Sequence, residues 1–180
     1  MTNSPFIDAT QKWLQAVVVG LNFCPFAKRE VDKGSIRYAL LESSKRRDIL
    51  EAVLQECVFL DTHKEVETTL LILPHGLAEF SVYLDVLDLV ESLLVMEDYE
   101  GVYQVASFHP EYCFADADVD DAANYTNRSP YPMLHLLREE SLEKAIASYA
   151  DIDNVPDNNI KNARELGVEK LRYLFEQSKV

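Results

Sequence analysis

The sequence predicts an α/β fold in which a small, mainly parallel three-stranded sheet is covered by about five helices. Three observations carry that expectation. Apolar stripes at helical spacing alternate with short β-prone runs. One run, Thr68-Thr69-Leu70-Leu71-Ile72-Leu73, is almost continuously apolar, as a strand covered on both faces requires. Strand–helix–strand connections within one sheet are nearly always right-handed crossovers between parallel strands. A chain of 180 residues, 48% hydrophobic, with 5 Gly, 7 Pro and no repetitive or Ser/Gly-rich stretch, reads as one globular domain over residues 1–180.

Asp8 and Gln11 form an N-cap pair for a first helix, whose apolar positions Trp13, Leu14, Val17, Val18 and Leu21 carry it to about Gly20. Asn22-Phe23-Cys24-Pro25-Phe26 then reads as an apolar turn, because proline restricts its predecessor and lacks a donor. A strand is expected over Ser35–Leu41. After it, Ser43 or Ser44 caps a helix striped by Ile49, Leu50, Val53, Leu54, Cys57 and Val58, which places Cys57 in the core. The apolar run from Thr68 is the second strand, stopped by Pro74-His75-Gly76. The next helix, about Ala78–Met96, has only a narrow polar stripe of Ser81, Asp85, Asp88 and Ser92, so most of it is expected to be buried. A third strand runs from Val102 to Phe108. Two helices, roughly Pro132–Tyr149 and Pro156–Gln177, complete the chain. The alternative is a ferredoxin-like α+β arrangement, which needs a hairpin and a fourth strand, with Tyr112–Ala115 as a candidate for short pairing.

The formal charge of −14 repels a phosphate backbone, and no Lys/Arg cluster is interleaved with aromatics, so nucleic acid is not an expected partner. The charge is unevenly spread. Residues 1–64 hold nine Lys/Arg against eight Asp/Glu, whereas residues 65–127 hold fourteen Asp/Glu and no Lys/Arg. Val17-Val18-Val19 is too short for a signal peptide or membrane span, which makes the cytoplasm the expected location and a membrane an unexpected partner. Cys24, Cys57 and Cys113, odd in number and unrelated in context, suit reduced thiols.

In open parallel sheets ligands bind beyond the carboxyl ends of strands, where this reading places His75 and His109; neighbouring strands would let the two imidazoles share a cleft. His109 is the candidate proton carrier. The loop Asn124-Tyr125-Thr126-Asn127-Arg128-Ser129-Pro130-Tyr131-Pro132 is rich in amides and hydroxyls and is expected to lie directly ahead of a helix, an arrangement that attracts anions. Arg128 adds a bidentate fork for a carboxylate or phosphate, and His135 and Arg138, three apart on the same helix face, extend the wall. The structural reading of the two arginines is pairing with neighbouring acids.

Asp116, Asp118, Asp120 and Asp121 resemble the opening of an EF-hand loop. Position six is Asp121 instead of glycine, however, and position twelve is Asn127 instead of glutamate, leaving a solvated acidic turn with weak magnesium binding at most. Cys24 is a candidate catalytic nucleophile near Lys28 and Arg29, set against a buried structural thiol. Cys24, His109, Cys113 and His135 include zinc-ligating residue types but no CxxC or HExxH pairing, so no metal site is assigned, and no cofactor is indicated.

Three stretches, Gly20-Leu21-Asn22-Phe23-Cys24-Pro25-Phe26-Ala27, Phe108-His109-Pro110-Glu111-Tyr112 and Asn127–Arg138 with its Arg128-Ser129-Pro130-Tyr131-Pro132 core, resemble an uncharacterised bacterial family known as domain of unknown function 1415. That resemblance implies no activity and no catalytic residue.

Two functions from different classes follow. One is a cytoplasmic small-molecule enzyme or ligand-binding protein for an anionic metabolite. In it Arg128 and Arg138 hold the anion, His109 moves protons, and His135, Tyr125, Asn127 and His75 contribute to binding. The other is a non-enzymatic interaction protein that addresses a basic partner through the acidic middle of the chain.

Overall fold

The computed structural model describes residues 4–148 and 154–179. Their sheet has four strands, β1 (Ile36–Leu40), β2 (Thr68–Ile72), β3 (Tyr103–Phe108) and β4 (Met133–Arg138), in the order β1-β2-β4-β3. β1 and β2 are parallel neighbours, and β4 runs antiparallel between β2 and β3. The sheet is therefore mixed and four-stranded. The expected three parallel strands are all present, with β4 threaded between the second and third.

The seven α-helices among the described residues are α1 (Pro5–Trp13), α2 (Ala27–Lys33), α3 (Arg46–Thr62), α4 (Phe80–Met96), α5 (Glu139–Ser148), α6 (Val155–Leu166) and α7 (Val168–Ser178). They cover both sheet faces. Ile49, Val53, Cys57 and Leu60 of α3 and Tyr83, Val86, Val90 and Leu94 of α4 pack on Leu71, Leu134 and Leu136. Trp13 of α1, Ala163 of α6 and Leu171 and Phe175 of α7 pack on Leu70, Ile72 and Met133 of the opposite face. Alternate residues of β2 and β4 thus feed two cores, as side chains on successive strand positions must.

The segment expected to be one helix from Pro132 to Tyr149 is divided between β4 and α5 (Tyr149 lies outside the described residues). Met133-Leu134-His135-Leu136-Leu137-Arg138 is covered on both faces, so it lacks the period-two alternation that marks a half-buried strand. No Gly or Pro separates it from the helix formers that follow. The last helix breaks at Gly167, whose φ of 79° is left-handed. Tyr112–Ala115 forms no strand, and β1-α3-β2 is an unsplit parallel unit, so the ferredoxin-like alternative does not hold. In α4 only one stripe is buried; Leu84, Leu89, Val95 and Met96 face outward, correcting the expectation that most of the helix is covered.

The first helix begins at Pro5, earlier than the Asp8 cap implies, and its second half, Leu14–Val19, is π-helical. There Gly20 N–H reaches back to Gln15 O at 3.0 Å and Phe23 N–H to Val18 O at 2.9 Å. A Cβ on Gly20 would collide with the Ala16 carbonyl oxygen, so this tightly wound exit requires glycine. Single π turns of this kind occur frequently beside functional sites. This one lines the pocket described next.

Candidate functional site

A pocket of about 260 Å³ opens between the sheet and the N-terminal segment. Its floor is the face of the sheet that carries Ile36, Thr68, Leu70, Ala106, Phe108, His135 and Leu137. Trp13, Leu14 and Val18 form one wall, Cys24, Phe26 and Ala27 a second, and Leu142 and Ala145 of α5 a third. The lining is overwhelmingly apolar. Arg29, Glu30, Glu67 and Arg138 also border the pocket but contribute little polar surface.

His135 sits at the middle of the floor, with Leu70 opposite it on β2 and Ala106 opposite it on β3. Its Nε2 lies 2.7 Å from Thr68 Oγ1, and that hydroxyl gives its own proton to the Leu136 carbonyl. Thr68 must therefore accept, which makes Nε2 the protonated nitrogen and Nδ1 the open acceptor. Burial pushes this imidazole down to about 4, so it is neutral at pH 7. Cys24 shares the pocket. Burial raises its thiol above the ordinary value against the lowering effect of the Phe26 and Ala27 backbone N–H groups. The two titratable side chains well inside the pocket are both uncharged.

Glu30 is buried where the pocket borders α2. Burial alone would raise its carboxyl, but hydrogen bonds from Ser35 Oγ (2.7 Å) and Arg29 Nε (2.6 Å), with Lys33 nearby, hold it below the usual range. Arg29 and Glu30 therefore satisfy one another.

The remaining expected site residues lie elsewhere. His109 is fully buried with both ring nitrogens engaged: Nε2 donates to Leu77 O at 2.8 Å and Nδ1 accepts from Glu111 N–H at 3.0 Å. Burial lowers its pKa, leaving a neutral ring that fixes the loop after β3. His75 is exposed, edge-on to Phe6 at 5.7 Å, whereas His109 packs against Phe80 and Tyr83, each 5.1 Å away. The two imidazoles serve different surroundings and share no cleft.

Arg128 precedes a strand and not a helix, so the expected helix entrance does not follow it. Its Nε and Nη2 donate to Tyr112 O (3.1 Å) and Val119 O (2.9 Å), and its guanidinium lies 4.6 Å over the ring of buried Tyr125. Asn127 donates from Nδ2 to Ser107 O at 3.3 Å. These groups hold the long connection between β3 and β4 in place. Arg138 and His135 are three apart on a strand and therefore point to opposite faces. The guanidinium of Arg138 reaches Leu60 O (2.6 Å), Val66 O (3.0 Å) and Tyr103 Oη (3.3 Å), closing the carboxyl end of α3. Asp121 of the acidic turn caps the 3₁₀ turn Ala122–Thr126 and pairs with Arg164 at 2.7 Å. Among the described residues, no three of His, Cys, Asp and Glu converge as metal ligands. None of the helices there is long and apolar enough to cross a membrane.

Residues 5–173 match the family described as Protein of unknown function (DUF1415). The chain belongs to that family. No curated protein and no solved structure matches this DUF1415 chain. Its pocket has to be read from its own residues. Sequence reasoning identified Cys24 and His135 separately but not as neighbours on one pocket, and it missed Thr68 and Trp13. A hydroxyl at the start of an otherwise apolar buried strand was the available signal for Thr68. Trp13 Nε1 donates to Arg128 O at 2.9 Å, and that contact over 115 residues leaves no local trace in the sequence.

Proposed function

We propose that this DUF1415 protein binds a small, uncharged, mainly apolar molecule in the pocket shared by Cys24 and His135, as a ligand-binding protein or small-molecule enzyme. The observation that carries this reading is an apolar pocket of about 260 Å³ whose interior thiol and imidazole are both neutral. A charged ligand would lose its hydration there without gaining a free opposite charge. The anion site expected at Arg128 is therefore replaced in this proposal, since the forks of Arg128 and Arg138 are engaged by backbone carbonyls. Of the pocket's thiol and imidazole, His135 keeps an open acceptor nitrogen for a proton-accepting role, whereas Cys24, a neutral buried thiol, is a weak nucleophile, which favours binding over catalysis. His109, expected to move protons, has no open nitrogen.

An engineered apolar cavity of about 150 Å³ holds benzene, so this larger pocket suits a bicyclic ring. The test is alkylation by the uncharged reagent N-ethylmaleimide, followed by peptide mapping. Cys24 is expected to react more slowly than a free thiol at pH 7, and saturating indole is expected to slow it at least fivefold further without changing Cys113. Absence of protection at Cys24, or equal protection at both thiols, would reject the site.

The interaction-protein reading is favoured by one observation of its own. The outward face of α4 exposes Leu84, Leu89, Val95 and Met96 among Asp85, Asp88 and Glu91. A basic partner with apolar anchors suits such a face. Its retention on immobilised protein should fall with salt and disappear in Leu89→Asp; salt-independent retention unaffected by that change would oppose the reading.

A further inference from the structure

We infer that the molecule held in this pocket is an apolar body carrying one hydroxyl or N–H group, and that Nδ1 of His135 receives that donor. The inference rests on the pocket proposed above and adds the polarity its ligand must have.

The direction of the hydrogen bonds fixes this requirement. Thr68 Oγ1 donates to Leu136 O and so accepts from His135 Nε2–H, and both groups stand on adjacent strands whose backbone pairing holds them in register. The ring is thereby committed to one tautomer, with an acceptor at Nδ1 and no second donor to offer. A ligand carbonyl would meet a lone pair there, whereas a ligand O–H or N–H would meet its complement. Among the described residues, the ring's hydrogen bond is made at Nε2, and no donor is bonded to Nδ1. Among the described residues, however, no buried side-chain nitrogen or oxygen lacks a partner, so Nδ1 belongs to the accessible pocket surface and not to the sealed core.

Other donors are poorly suited to satisfy it. The guanidinium of Arg29 is drawn to Glu30 at 2.6 Å, and the Cys24 thiol is a weak donor. A water at Nδ1 would need two or more polar partners, which the apolar wall does not supply. A hydrophobic molecule with a single donor satisfies the nitrogen and the wall together.

Indole and indene separate these contributions, because the two bicycles have nearly the same shape and only indole carries an N–H. Titration calorimetry on the intact protein should give indole roughly three- to tenfold tighter binding than indene, the range of one net hydrogen bond. His135→Phe keeps the wall apolar and should abolish the preference by weakening indole alone. Thr68→Val frees the ring to change tautomer and should reduce the indole-to-indene ratio, a change that mere loss of stability would not produce. Equal affinities in the wild-type protein would overturn the donor assignment while leaving the pocket reading intact. A preference that survives in His135→Phe would overturn it as well. Failure of both compounds to bind would overturn the pocket reading itself.

Discussion

Between pH 7 and pH 4 the folded state should lose about 2–3 kcal/mol through the single imidazole of His135. Burial holds this ring down to about 4, against 6.5 for a free histidine. The charged groups bordering its pocket do not offset that burial. Glu30 is already bound by Ser35 and Arg29, Arg138 turns its guanidinium to the opposite face, and neither Glu67 nor Arg29 forms an ion pair with the ring among the described residues. Cys24 is neutral over this range. The unfolded chain takes up a proton near pH 6.5, whereas the folded chain resists until about 4, so the contribution is complete above pH 6.5 and disappears as pH falls toward 4. The full interval would correspond to slightly more than 3 kcal/mol, reduced because the pocket leaves the ring some contact with water. Urea unfolding of wild type and His135→Gln at several pH values isolates this contribution, since His109 and the carboxylates titrate in both proteins. The stability difference should be constant above pH 7 and shrink by about 2–3 kcal/mol at pH 4. Parallel curves would refute both the burial of His135 and the neutral pocket built on it.

Two further substitutions test the scaffold around the pocket. Arg138→Met removes the hydrogen bonds to Leu60, Val66 and Tyr103 and should cost about 2–4 kcal/mol in urea unfolding; a change below about 0.5 kcal/mol would mean that the guanidinium does not secure α3. Gly20→Ala drives a methyl group into the Ala16 carbonyl and should destabilise by about 1–3 kcal/mol while weakening indole binding through Trp13, Leu14 and Val18. Unchanged stability would show that the π turn accommodates a side chain.

The three legible strands, β1, β2 and β3, were those bounded by turn residues and followed or preceded by a clear helical stripe. β4 was not legible because a strand buried on both faces and joined directly to a helix presents one unbroken run of helix-compatible residues. That single misreading displaced the site. Reading Met133–Arg138 as a helix put His135 and Arg138 on one face and made the Arg128 loop a helix entrance; as a strand it separates the two side chains and places His135 in the pocket that Cys24 also lines. That Cys24 and His135 line one pocket depends on a fold that joins residues more than 100 positions apart, which no local periodicity encodes. Conversely, the residues that drew attention as polar and densely functional, Tyr125 to Arg128, are largely occupied in satisfying the backbone of their own long connection, as ordered loops require.

A crystal structure of the protein soaked with indole tests the site most directly. The bicycle is expected on the sheet face between Trp13, Phe108 and Cys24, with its N–H directed at Nδ1 of His135. Indole bound only elsewhere, or a pocket left empty at saturating concentration, would contradict the assignment of this pocket as the ligand site.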